Sequence, residues 1–132
     1  MVLDRNDVIA LHGALKHNEL VSKHISTESF LQLMNLMRKI TAYLNKMQED
    51  ETLLAQSFKL QSPDIDFLED AESKKAFIER IQAIQTATIE LTDNEIKFIP
   101  QDNFKKWVDN CPTQVALTLG FFLLKDNNET PV

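Results

Sequence analysis

The chain has 132 residues, a length typical of one domain. Hydrophobic residues make up 43% of it and charged residues 26%, while glycine occurs only twice. This composition excludes a wholly disordered chain, a collagen-like chain and a glycine-rich phosphate loop. The net charge of −6 argues against direct binding to nucleic acid, because such binding needs clustered lysine and arginine.

The single cysteine and the start of the chain predict a cytoplasmic protein. Cys111 has no second cysteine to pair with, so nothing indicates an oxidising compartment. Charged and polar residues from Asp4 to Asp7 interrupt the stretch in which a signal peptide would be apolar. The longest nearly apolar run, Val115 to Leu124, is much shorter than the ~20 residues that span a bilayer, so no membrane interaction is expected.

A single domain over residues 1–132 is predicted, and its first part, 1–25, holds a short helix and a connection. Val8, Leu11 and Leu15 recur at the spacing of one helical face. Asp4 or Asn6 can cap the start of this helix with a side-chain acceptor.

Residues 26–60 carry the clearest pattern in the chain, which predicts one long helix. Apolar residues alternate at spacings of three and four, as in a heptad repeat with a single polar position at Glu51. The repeat consists of Phe30, Leu33, Met37, Ile40, Leu44, Met47, Glu51, Leu54 and Phe58. A helix of this length needs a second helix to cover its apolar face.

That second helix is predicted over residues 67–88, after a loop at 61–66 that contains Pro63. Phe77, Ile81 and Ile84 continue the same spacing. A long helix, a short loop and a returning helix make an antiparallel helical hairpin. The predicted fold class is therefore mainly α, with a short β-hairpin and a small C-terminal helical part.

The β-hairpin is predicted over residues 89–99, where apolar and polar residues alternate on either side of Thr92-Asp93-Asn94. Continuation of the preceding helix to Leu91 is the alternative. Two short helices follow over 103–125, the second of them opened by Pro112. This last helix is apolar nearly all round and is expected to be buried in the protein or in a partner. Residues 126–132 are predicted to form a mobile tail.

The charge is unevenly distributed and predicts an acidic interaction surface at the far end of the hairpin. The segment from Glu49 to Glu72 contains eight acidic residues and one lysine, whereas the rest of the chain is nearly neutral. Two larger apolar residues outside the heptad positions, Leu36 and Tyr43, predict a homodimer interface on the long helix. The candidate interaction residues are Glu49, Asp50, Asp64, Asp66, Glu69, Asp70, Leu36 and Tyr43.

No catalytic residue, no metal ligand and no cofactor is expected. His12, His17 and His24 do not have the spacing of zinc ligands on one helix face. The acidic residues from Asp64 to Asp70 lack the glycine of an EF-hand loop. Cys111 is expected to be a buried structural thiol, since no histidine motif that would activate it accompanies it.

The order of these elements resembles that of a group of small proteins of unknown function encoded by tailed phages and prophages. The resemblance covers nearly the whole chain and is carried by a pattern of segments. They are an opening helix with Ile9 and Leu11, the run Phe30-Leu31-Gln32-Leu33-Met34 entering a long charged helix, an acidic loop around Pro63, a returning helix with Phe77, a β-like stretch from Ile89 to Pro100, and a last helix opened by Pro112-Thr113-Gln114. This resemblance implies no activity. It implies that the predicted cytoplasmic location is the cytoplasm of a bacterial host.

The sequence therefore predicts a non-enzymatic interaction protein that acts on a host or phage protein through an acidic or apolar helical surface. A virion or assembly component acting through self-association is the first alternative, and an uncharacterised small enzyme is the second.

Overall fold

The computed structural model describes residues 1–16, 25–58, 70–109 and 111–125. Its elements in chain order are β1 (Val2–Leu3), α1 (Arg5–Leu15), α2 (Thr27–Ser57), α3 (Ala71–Gln85), β2 (Ile89–Glu90), α4 (Gln101–Trp107) and α5 (Thr113–Leu123). The predicted mainly helical fold, with its long helix and one short antiparallel strand pair, is confirmed.

The first three helices begin at polar residues that cap them. Asp4 accepts a hydrogen bond from the Asp7 backbone N–H, and Asp7 accepts one from Asp4 in return, which makes a capping box at α1. At α2 the Ser26 hydroxyl accepts from the Ser29 backbone N–H, and at α3 the Asp70 carboxylate accepts from the Glu72 backbone N–H. Because Asp70 is the cap, α3 starts at Ala71 rather than at Phe67, a residue that lies outside the described residues.

The helices α2 and α3 run antiparallel, as predicted. The ring of Phe58, at the end of α2, lies 5.4 Å from the ring of Phe77 near the start of α3. At the opposite end of the pair, the hydroxyl of Tyr43 donates to the backbone carbonyl of Ala87, just beyond α3. The two helices therefore lie side by side over the half of α2 that follows Tyr43.

Most of the chain forms a compact part, the base, which comprises α1, β1, β2, α4, α5, the first half of α2 up to Ala42 and the segment 91–100. Its core contains Trp107, which is fully buried, and Ile40 of α2, which is also fully buried. The other buried residues of this core are Leu3, Val8, Leu11, Ala14, Leu15, Leu33, Leu36, Leu91, Ile96, Phe98, Ile99, Leu119, Phe122 and Leu123.

The rest of α2, from Tyr43 to Ser57, and α3 form a second part, the arm. Its core is separate and small, with Leu54, Ala55 and Phe77 buried. Phe58, Ile81 and Ile84 pack against them and are half-buried. The heptad positions of α2 thus serve two cores, one in the base and one in the arm.

The strand β2 pairs with a different segment from the one predicted. Ile89–Glu90 pairs antiparallel with Val2–Leu3, so that Leu3 faces Ile89, and not with residues 96–98. Hydrogen bonds between Met1 and Leu91 in both directions extend the pairing. Residues 92–95 form a tight turn in which the Glu95 carboxylate accepts from Thr92. Burial of Leu3 and Ile96 in one core favours the distant partner over the local one.

The last helix is not buried all round within this chain, so of the two alternatives expected for residues 113–125, burial in a partner stays a prediction. One face of α5 enters the base core with Leu119, Phe122 and Leu123, and α5 packs there against α1. On the opposite face Leu117 is 68% exposed and Phe121 is 66% exposed. The helix ends at Leu123, and the backbone of Ile99 then bonds to Leu123 and Lys125.

Candidate functional site

Of the described acidic residues predicted to form the interaction surface, Asp70 lies at the distal end of the arm, whereas Glu49 and Asp50 lie midway along its α2 helix. Glu49 is exposed on α2, Asp50 is half-buried beside it, and Asp70 is exposed at the start of α3. Asp70 also holds its helix end, because its carboxylate accepts from the Glu72 backbone and from the Ser73 hydroxyl. Asp64, Asp66 and Glu69 lie outside the described residues.

Leu36 does not belong to an exposed surface, which corrects the prediction that it forms part of an interface. It is 1% exposed and contributes to the base core. It lies outside the three-and-four repeat of apolar residues, but the base surrounds this part of α2 more widely than a single partner helix would. A wider apolar stripe is therefore buried there.

One side of the arm has a groove between α2 and α3 with a cavity of about 420 Å³. Its floor is apolar and its α3 wall is made of small side chains, which leaves the groove open. The lining residues are Tyr43, Lys46, Met47, Asp50, Ala83, Ile84, Ala87 and Thr88. Lys46 and Asp50 stand at the rim, where their charged groups are 3.6 Å apart.

Tyr43 closes the end of this groove nearest the base. Its ring packs partly against the base core while its hydroxyl is bonded to the Ala87 carbonyl. Burial raises the pKa of Tyr43, and the nearby carboxylate of Asp4 raises it further, while Arg5 acts in the opposite direction. The phenol is therefore a neutral donor that fixes α3 to α2 throughout the physiological pH range.

The polar heptad position, Glu51, connects the arm to the base. Its carboxylate oxygen Oε1 lies 3.6 Å from the guanidinium of Arg5, in the first turn of α1. The same oxygen has no hydrogen-bond partner and is shielded from solvent. The side chain of Glu51 is 15% exposed, so the ion pair compensates a carboxylate that is largely removed from water.

No group of three or more metal-ligating side chains occurs within the described ranges 1–16, 25–58, 70–109 and 111–125. His12 is half-buried on α1, where burial lowers its pKa and the charge of Lys16 lowers it further. His17 and His24 lie outside the described residues. Cys111, expected to be buried, is half-buried and packs against the base core.

Treatment with a chelator is expected to leave the melting temperature unchanged. A metal ion bound to the native state would add stability by mass action, and its removal would lower the temperature of unfolding. Thermal denaturation followed by circular dichroism, with and without EDTA, checks this. A drop of many degrees would contradict the prediction, and Asp64, Asp66 and Asp70 would then be the first ligands to test.

No helix in the described part of the chain combines the length and the apolar character needed to cross a membrane. No family model matches the sequence, and no match was found among curated proteins or among solved structures.

The sequence pattern did not point to the groove. Ala83 lies near the end of α3 and Ala87 just beyond it, and alanine is so common in helices that neither carries much signal. Leu53, which is 55% exposed on α2, was missed for a different reason. Leu53 directly precedes Leu54, which occupies the heptad position, and the sequence does not show whether a leucine beside a heptad position is buried or exposed.

Proposed function

We propose that this chain is a non-enzymatic interaction protein that uses its arm to bind a basic surface of another protein. The observation that supports this most strongly is the concentration of carboxylates at the distal end of an arm with its own small core. Asp70 and Glu72 are exposed there, and Glu49 is exposed about 12 Å before the end of α2. Asp64, Asp66 and Glu69 belong to the segment that joins the two helices of the arm.

The charge of the arm suits a partner surface that normally binds nucleic-acid phosphates. Carboxylates held on a projecting pair of helices can take the positions of phosphates along a basic cleft, and complementary charge also accelerates encounter. Lysines 74 and 75 lie one turn further along α3, so the acidic character is confined to the distal end. The partner would therefore contact the end of the arm and not its whole length.

We further propose that the protein is an accessory protein of a tailed phage or prophage, acting in the cytoplasm of the bacterial host. The order of its segments supports this. A phage-directed role would be supported by flanking genes for virion assembly, and a host-directed role by flanking early genes.

Binding of the partner is expected to depend on the carboxylates of the arm. A photo-crosslinking residue at Glu49 would capture the partner in host cells, and the same residue at Asp93, exposed on the base, would serve as the control. With the purified partner, combined Glu49→Gln, Asp64→Asn, Asp66→Asn and Glu72→Gln changes should weaken binding about tenfold or more, since each exposed ion pair adds a small increment that salt screens.

The matched control changes two exposed carboxylates of the base, Glu90→Gln and Asp93→Asn, and should leave the affinity unchanged. Capture from Asp93 alone, or equal affinity of the wild type and the arm variant, would contradict the proposal.

Self-association is the second candidate function, and the groove on the arm favours it. Its floor is formed by Met47, which is 5% exposed, and by the half-buried Ile84, while Leu53 is 55% exposed on the same helix. Such a surface suits a protein–protein contact, and a second copy of the chain supplies a surface of matching shape and charge.

A further inference from the structure

We propose that the groove side of the arm is a homodimer interface in which two α2 helices pack antiparallel about a twofold axis at the level of Gln48, whose side chain lies on the opposite face of the helix. This inference rests on the self-association proposed above and specifies its surface and register. It uses Asp50 of the acidic set but none of the carboxylates changed in the partner-binding test above, so the two proposals are tested by different variants.

The register follows from four residues on one face of α2. Tyr43, Lys46 and Asp50 line the groove, and Leu53 lies three residues beyond Asp50 on the same side of the helix. Along the helix these side chains are aromatic, basic, acidic and aliphatic. Their positions are spaced symmetrically about residue 48. Lys46 and Asp50 lie equally far from Gln48 in opposite directions, and so do Tyr43 and Leu53.

An antiparallel pairing about this position brings complementary groups together twice. Lys46 of one copy meets Asp50 of the other, and Tyr43 of one copy meets Leu53 of the other. Lys46 and Asp50 are accessible for this, since their side chains are 77% and 40% exposed. A parallel pairing would instead place each residue against its own copy, with like charges opposed, so charge complementarity selects the antiparallel arrangement.

The α3 helix completes the contact. The stretch from Tyr43 to Leu53 is only about 15 Å long at 1.5 Å per residue. A stable interface needs about 800 Å² from each partner, which one helix face of that length does not supply. Ala83 and Ala87 are exposed beside the groove, and their small side chains allow the second copy to approach closely. Two arms would thus form a four-helix arrangement.

The decisive experiment uses charge reversal and mixing, with molar mass measured by light scattering. The wild type is expected near twice 15.2 kDa, with dissociation promoted by salt. Lys46→Glu and Asp50→Lys should each be monomeric, because each places like charges together at both contacts. An equimolar mixture of these two variants should recover the doubled mass, because each contact then joins opposite charges.

Mixing separates this interface from any effect within one chain. Lys46 and Asp50 also form an ion pair along their own helix, and each single variant loses it, but mixing two chains cannot restore that pair. Glu90→Lys makes an equal charge change at an exposed position of the base, away from α2, and should stay dimeric. Leu53→Glu removes the apolar contact and should be monomeric while circular dichroism shows unchanged helicity.

A wild type that stays near 15.2 kDa at the highest soluble concentration would overturn the proposal. Dimeric single variants, or a mixture that stays monomeric, would also overturn it, whether or not the distal carboxylates bind a partner.

Discussion

Ile40→Asp is expected to unfold the protein. Ile40 is fully buried at the point where α2 crosses the base core, among residues from α1, the 91–99 segment and α5. Removing a buried aliphatic side chain of this size costs about 2–5 kcal/mol. An unpaired carboxylate in the same place adds several kcal/mol more. A domain has a total stability of only about 5–15 kcal/mol, so the two terms together exhaust most or all of it.

Thr41→Asp is the matched control. It places the same charge one residue later on the same helix, where the side chain is exposed. Far-ultraviolet circular dichroism and thermal denaturation should show a native transition for Thr41→Asp and none for Ile40→Asp. A native melting curve for Ile40→Asp would show that α2 does not pack into the base at this residue.

Phe77→Ala is expected to unfold the arm while the base stays folded. Phe77 is 3% exposed and is the largest buried side chain of the arm core, where its ring meets Phe58 edge to face. The substitution costs about 3–5 kcal/mol. Among the described residues of the arm core, Leu54 and Ala55 are the other buried ones, so this loss exceeds what the small arm core can absorb. The base core contains Trp107 and is not touched by the change.

Two probes distinguish the arm from the base in this variant. Hydrogen exchange measured by mass spectrometry should show lost protection in α3 and in the second half of α2, with protection retained in α1 and α5. Trp107, the single tryptophan, should keep its native fluorescence because it is buried in the base.

Ile78→Ala, at the next and half-exposed position, should leave both signals nearly unchanged. If tryptophan fluorescence and helicity were lost together in Phe77→Ala, the arm and the base would be one cooperative unit.

The sequence predicted the long helix almost to the residue, with 26–60 expected and Thr27–Ser57 observed. The pattern works here because apolar side chains must face inward along the whole of α2, and the cap at Ser26 is set by local chemistry. The antiparallel course of α3 followed from the break at Pro63 and the matching apolar spacing. Capping and apolar spacing depend on residues close together in the chain, and they were sufficient to predict these two helices.

The candidate site was only partly predictable. The position of the carboxylates along the chain was evident, and Glu49 is exposed as expected, but Leu36 was assigned to the wrong environment. Exposure depends on what surrounds a helix, and the base surrounds α2 on more sides than a hairpin partner does. The groove was invisible because it is the space left between two helices by small side chains.

The helices, their caps and the uneven charge follow from the amino-acid sequence alone, since these depend on neighbouring residues. The three-dimensional packing was needed to find that β2 pairs with β1, that the heptad positions serve two separate cores, and that α5 leaves Leu117 and Phe121 exposed. These three features have the same cause. Each depends on which of several distant segments buries the most apolar surface, and a local sequence pattern does not show which segment that is.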